Sequence, residues 1–254
     1  MNRVRPIAVI ARFVLLEARR SGLPLLALSC IAASVGLALF VSQVALTDTR
    51  EFQAAAAAVL LRASGAFLIA TYVVASVARE TSDRGLELAL TLPISRLTYY
   101  AGKLAGFACC GALLAMVFAM PMLLWSTPAA VAMWCASLAM ETALVAAMAL
   151  FFSMALSVVP AIAATAGLYL LGRSISAIQA IAARPLAEKG ESALRWATDA
   201  FAVLVPRLDS ATRTEWLIYG PGTPIDLLAA LGGPAIYFAV VVAAGLFDFS
   251  RRNL

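Results

Sequence analysis

The chain has 254 residues, 63% of them hydrophobic and 13% charged, with a mean hydropathy of +0.93. That is too apolar for a soluble core wrapped in a polar surface, and it defines a polytopic membrane protein. A net charge of +5 would point a soluble domain toward nucleic acid, but here Lys and Arg gather beside apolar runs, where they act as orientation signals.

Histidine is absent, which removes the commonest metal ligand and neutral-pH proton shuttle and argues against a metalloenzyme or a His-based hydrolase. Cys30, Cys109, Cys110 and Cys135 all sit inside apolar segments without Cys-x-x-Cys spacing, so no disulfide and no metal site are expected. No removable leader is expected either, because a long basic segment precedes the first apolar run.

From Pro6 to Arg20 apolar and basic residues alternate. Arg5, Arg12 and Arg19 recur every seven residues, nearly on one helical face and opposite Ile10 and Val14. This predicts an interfacial helix on the cytoplasmic leaflet, separated from the first spanning helix by the Ser21-Gly22-Leu23-Pro24 break. Six apolar runs follow, at about 24–46, 54–78, 104–125, 130–153, 156–180 and 226–247, each long enough for the roughly 20 residues of a spanning helix. A short external loop is expected over Thr47–Gln53, a turn at Ser126-Thr127-Pro128, and a tight, uncharged turn between Ser153 and Pro160. Pro121 and Pro160 are expected to kink or end helices. Tyr99, Tyr100 and Trp125 fall at proposed membrane boundaries and read as interfacial anchors.

Three ionisable residues interrupt the runs: Arg62 in the second, Glu141 in the fourth and Arg173 late in the fifth. An Arg costs about 2.5 kcal/mol or more at the centre of a spanning helix, so each should face protein or a watery cavity. In a hairpin topology an Arg62–Glu141 pair is geometrically plausible. Two readings stay open, a structural ion pair or snorkelling, and a substrate path.

The stretch from Arg79 to Lys103 is the one long charged interruption between apolar segments in the first two thirds of the chain. Thr81, Ser82 and Asp83 can cap a helix start, and Glu80, Asp83 and Glu87 suit a positive helix N-terminus. Pro93 should stop that helix, with Ser95 capping a second. Leu86, Ala89, Leu90 and Pro93 share one apolar face, with Arg84 and Glu87 opposite, a pattern that suits a groove in a soluble partner. A charged loop that only obeys the positive-inside rule has the same composition.

The segment from about 182 to 224 carries Pro185, Gly190, Pro206, Gly220, Pro221, Gly222 and Pro224 around an apolar piece from Trp196 to Val205. It suggests short helices dipping into the outer leaflet. Lys and Arg cluster at Arg3 to Arg20, at Arg79 to Lys103 and at Arg251-Arg252, which places both termini inside. No Gly-x-x-x-x-Gly-Lys-Ser/Thr loop occurs, so no phosphate-cradling loop of that kind is expected in this chain.

Taken in order, Leu16-Glu17-Ala18-Arg19-Arg20, Arg79-Glu80, Arg84-Gly85-Leu86-Glu87-Leu88, Leu92-Pro93-Ile94-Ser95-Arg96 and Gly102-Lys103 resemble the elbow and coupling regions of ABC-2 type permeases. Leu204-Val205-Pro206-Arg207-Leu208-Asp209 and Glu215-Trp216-Leu217-Ile218-Tyr219-Gly220 extend the likeness, which in pattern is nearest to permeases associated with multicopper-enzyme maturation. The resemblance implies a single all-α membrane domain over 1–254, with six spanning helices, an elbow helix at 6–20, a cytoplasmic coupling loop at 79–103 and a re-entrant external segment at 182–224. It implies a non-enzymatic permease subunit of an ATP-driven exporter in the bacterial inner membrane, dimeric and bound to two ATP-binding subunits that carry ATP and Mg. Glu80, Asp83, Arg84, Gly85, Glu87, Pro93 and Arg96 would form the ATPase-coupling surface. The rival expectations are a non-transporting mechanical transducer or membrane scaffold, and a haem-export permease, for which the absence of histidine leaves no evident haem ligand.

Overall fold

Eight helices make up the regular structure of the residues that the computed structural model describes, which are 4–44, 49–82, 95–182, 208–209 and 213–251. In chain order they are α1 (Val4–Arg20), α2 (Leu23–Val44), α3 (Thr49–Ser82), α4 (Arg96–Met122), α5 (Pro128–Ala155), α6 (Val158–Ala182), α7 (Glu215–Tyr219) and α8 (Pro224–Arg251). Six of them, α2 to α6 and α8, are long and apolar enough to cross a bilayer. Each coincides with one of the six apolar runs, and the fold is that of a multi-pass membrane protein.

The differences lie at helix ends. α3 has 34 residues, about 51 Å at the α-helical rise, against the roughly 30 Å thickness of a hydrocarbon core. Residues 49–53, expected as loop, therefore belong to α3, and so do Glu80, Thr81 and Ser82 at its other end. The Thr81 and Ser82 hydroxyls donate back to the carbonyls of Val77 and Ala78 at 2.9 and 3.0 Å, within α3. Ser95 does cap a helix, accepting from the Thr98 N–H at 3.2 Å, but that helix is α4 itself rather than a separate short one. Charged residues mark where an apolar run stops, not where backbone hydrogen bonding stops.

Other boundaries follow local chemistry. Ser21 closes α1, its hydroxyl donating to Ala18 O at 2.8 Å, and the chain resumes as α2 two residues later. Leu156 and Ser157 alone connect α5 to α6, so that turn is tight as expected. Pro121 lies in the last turn of α4, whereas Pro160 sits in the first turn of α6, where it starts the helix instead of ending one. At the head of α8, Thr223 and Asp226 cap each other, the Thr223 N–H donating to Asp226 Oδ2 at 2.8 Å and the Asp226 N–H to Thr223 Oγ1 at 3.3 Å.

Helix α5 is the central post, packed against α3, α4, α6, α7 and α8. α2, α6 and α8 keep large apolar side chains outward, among them Phe40, Leu170 and Ile236, as lipid-facing helices do. α1 lies along α4, with Val14 fully buried, Ile10 packed beside it, and Arg12 and Arg19 exposed. Two glycines of α4 permit this contact. A Cβ at Gly102 would lie 2.9 Å from Ile10 Cβ, and one at Gly106 would lie 2.7 Å from Val14 Cβ. Their four-residue spacing is the small-xxx-small pattern that lets membrane helices approach closely.

Tyr99 and Tyr100 are buried rather than lipid-facing anchors, both packed on the Phe249 ring of α8 with centroids 6.2 and 6.0 Å away. Each ring gains an aromatic neighbour there, and the Tyr99 hydroxyl donates to the Glu80 carboxylate, whereas the Tyr100 hydroxyl has no hydrogen-bond partner among the described residues. Trp125 is half-buried in the turn after α4.

Candidate functional site

The buried residues form two apolar clusters, one holding Leu61 of α3 with Trp134 and Leu138 of α5, the other holding Ile69 of α3 with Leu144 and Met148 of α5. Between them, on the same two helices, lie Arg62, Ser137 and Glu141, all buried. Charge at this depth persists only where it is paired and hydrogen-bonded.

The pairing is close. Arg62 Nη1 lies 2.6 Å from Glu141 Oε2, and both side chains are 0% exposed. Arg62 Nη2 donates to Ser137 Oγ at 3.0 Å, and the Ser137 hydroxyl donates onward to Trp134 O at 2.8 Å. The guanidinium carbon stands 5.3 Å from the Trp134 ring centroid, a cation–π contact in a desolvated setting. Glu141 Oε1 serves α6: the Tyr169 hydroxyl donates to it at 2.9 Å, and Arg173 Nη1 approaches it at 3.4 Å and the Tyr169 oxygen at 3.2 Å. Three helices are thus tied through one carboxylate.

Glu141 accepts from three donors, so it is held as a fixed acceptor rather than as a free base. Among the described residues, two guanidinium groups against one carboxylate leave this cluster one formal positive charge. Arg173 carries it to the surface, since its side chain is 26% exposed while that of Arg62 is wholly enclosed. Among the described residues Arg62 Nε has no hydrogen-bond partner.

The structure therefore brings Arg62, Glu141 and Arg173 together. Reading the sequence for charge alone passed over Ser137, Trp134 and Tyr169, although Ser137 precedes Glu141, and Tyr169 precedes Arg173, by the four residues that put side chains on one helical face.

A second constellation gathers where α1, α3 and α4 meet. Glu80 Oε2 accepts an ion pair from Lys103 Nζ at 2.6 Å, and Glu80 Oε1 accepts from the Tyr99 hydroxyl. Lys103 is nearly enclosed, with the Tyr99 and Phe107 rings about 6 Å from its ammonium. One turn of α1 supplies Glu17, which accepts from Arg79 at 3.0 Å and from Ser76 Oγ at 2.9 Å, while the Tyr72 hydroxyl donates to Val14 O at 2.8 Å. Glu80 thus stands in the last turn of α3, and the helix expected from about position 83 lies outside the described residues. Arg96 is the first residue of α4. Asp83, Arg84, Gly85, Glu87 and Pro93 lie outside the described residues.

No protein-family model matches this chain, and no curated protein sequence matches it. Its class rests on its own fold: six helices fit to span a membrane, with a charged cluster enclosed among three of them.

Proposed function

We propose that this chain is the permease subunit of an ATP-driven transporter of the ABC-2 type, an exporter in the bacterial inner membrane with both termini in the cytoplasm. Two copies pair, each takes a separate ATP-binding subunit, and ATP and Mg stay on that partner. In this reading α1 is the elbow helix and the loop within 79–103 is the coupling element.

The observation that carries the reading is the bracing of α1, α3 and α4 around the ends of that loop. Glu80, Lys103 and Tyr99 clamp α3 to α4, while Glu17, Arg79 and Ser76 clamp α3 to α1. A push on the intervening loop would reach three helices at once, as a force-transmitting base requires. The re-entrant character of 182–224 is supported by Leu208, which is fully buried and donates its N–H to Gly172 O at 3.1 Å, ten residues short of the end of α6 at Ala182.

The test is copurification of an ATP-binding subunit, together with ATP turnover in lipid nanodiscs, for the wild type, the Arg84→Glu/Glu87→Arg pair and Gly85→Trp. Charge reversal and the added bulk should weaken docking while the six spanning helices stay inserted. Full binding and unchanged permease-dependent turnover in all of them would remove the loop from its coupling role.

A further inference from the structure

A furrow between α3 and α6 opens beside the charged cluster, with Tyr169 common to both. Ala63, Ala66 and Ala70 of α3 stand across from Ile162 and Ala166 of α6, over Val145 of α5, and together they enclose about 180 Å³. Small side chains recurring on one face of α3 leave this space open. Phe67 and Leu170 edge it and are exposed, among the described residues, to 58% and 60%. The wall offers no free polar group along its length, because the Thr165 hydroxyl is turned back onto Ala161 O at 2.8 Å.

The polar groups come at one end. Tyr169 lines the furrow, and its hydroxyl touches both Glu141 and Arg173. Arg173 lies one helical turn further along α6, is the partly exposed member of the cluster, and holds Glu141 at the longer distance of 3.4 Å against 2.6 Å for Arg62. An apolar trough whose Tyr169 end adjoins the partly exposed Arg173, the positive charge that Glu141 leaves over among the described residues, calls for a ligand with the opposite profile, a hydrocarbon chain ending in an anion.

We infer that the furrow and Arg173 together bind a single-chain amphiphile with an anionic head, its chain lying between α3 and α6 and its acidic group on Arg173 beside Tyr169. Zwitterionic lipids carry no net charge to match Arg173, and soluble anions have nothing to fill the trough. The inference concerns this chain alone and needs no ATP-binding partner, so it stands or falls separately from the transporter reading.

The full chain in phosphatidylcholine nanodiscs is illuminated with a diazirine-bearing alkyl phosphate, or with the matching alkyl phosphocholine, and the label is mapped by mass spectrometry. The alkyl phosphate should label 63–70 and 162–170, with about tenfold less label from the phosphocholine, the factor carried by one charge-assisted contact. Arg173→Gln should lower phosphate-probe labelling by about the same factor and Arg173→Lys should retain most of it. Ala166→Phe, which fills the trough, should remove it. Melting temperatures of these variants separate loss of the site from loss of the fold, and the two-probe comparison on the wild type decides even if a variant unfolds. Equal labelling by both probes would assign the furrow to bulk lipid and overturn the inference. So would full competition by inorganic phosphate, or an interchain crosslink at Ala166→Cys in place of probe labelling, which would give the furrow to a second copy of the chain.

Discussion

Arg62 and Glu141 are 79 residues apart in the chain, yet their side chains meet at 2.6 Å with neither exposed. Glu141 is the condition for the burial of Arg62, which has no other counter-ion among the described residues, whereas Glu141 also keeps Arg173 at 3.4 Å. Glu141→Ala should destabilise the protein by about 3–5 kcal/mol, because the buried Arg62 is left unpaired, and Arg62→Ala should cost less, because Glu141 keeps Arg173 and the Tyr169 hydroxyl. The double variant should lose less than the sum of the two. Thermal melting in a mild detergent measures this, and strictly additive losses would show that the two groups are not coupled. Glu141→Gln, which keeps an acceptor for Tyr169, should cost less than Glu141→Ala.

Gly106 sets the distance between α1 and α4. Gly106→Leu would drive its side chain into Val14 and the backbone at Ala11, with an overpacking cost of about 1–3 kcal/mol. The expected outcome is an undocked α1 with the spanning helices still folded, read as faster proteolysis near Ser21-Gly22 and a lower melting temperature. Unchanged proteolysis would mean that α1 does not depend on this contact.

Near the end of α3 the two ion pairs, Lys103–Glu80 and Arg79–Glu17, differ in burial, and so should their weights. Lys103→Met removes the partner of a largely enclosed Glu80 carboxylate and should cost about 1–3 kcal/mol. Arg79→Ala breaks a pair in which the Arg side chain is 55% exposed, so its loss should stay below about 1 kcal/mol. Under the proposed function Lys103→Met should also lower permease-dependent ATP turnover while an ATP-binding subunit still copurifies. Equal stability of the two variants, or full turnover in Lys103→Met, would contradict this ranking.

Orientation is open to a direct measurement. In a cysteine-free background, Asp48→Cys and Asp199→Cys should react with an impermeant thiol reagent from outside, and Asp83→Cys and Asn253→Cys only from inside. External labelling at position 83 would reverse the proposed topology.

The number and placement of the spanning helices were legible in the sequence, because whether about 20 residues are apolar enough to cross a bilayer is a local property of those residues. The break at Ser21-Gly22 and the cap at Ser95 were legible for the same reason: both act within four residues of themselves. Helix ends were not, since α3 and α4 run past their apolar stretches into charged sequence whose side chains are satisfied across helices, Glu80 by Lys103 and Arg79 by Glu17. Arg62 and Glu141 stood out by charge, but their neighbours Ser137, Trp134 and Tyr169 are ordinary residues until three helices converge on one carboxylate. Gly102 and Gly106 gained meaning only when α1 was laid against them. Apolarity and capping are decided by short stretches of chain, whereas pairing and close approach need both partners in place, and only the packing of α1, α3, α4, α5 and α6 brings those partners together.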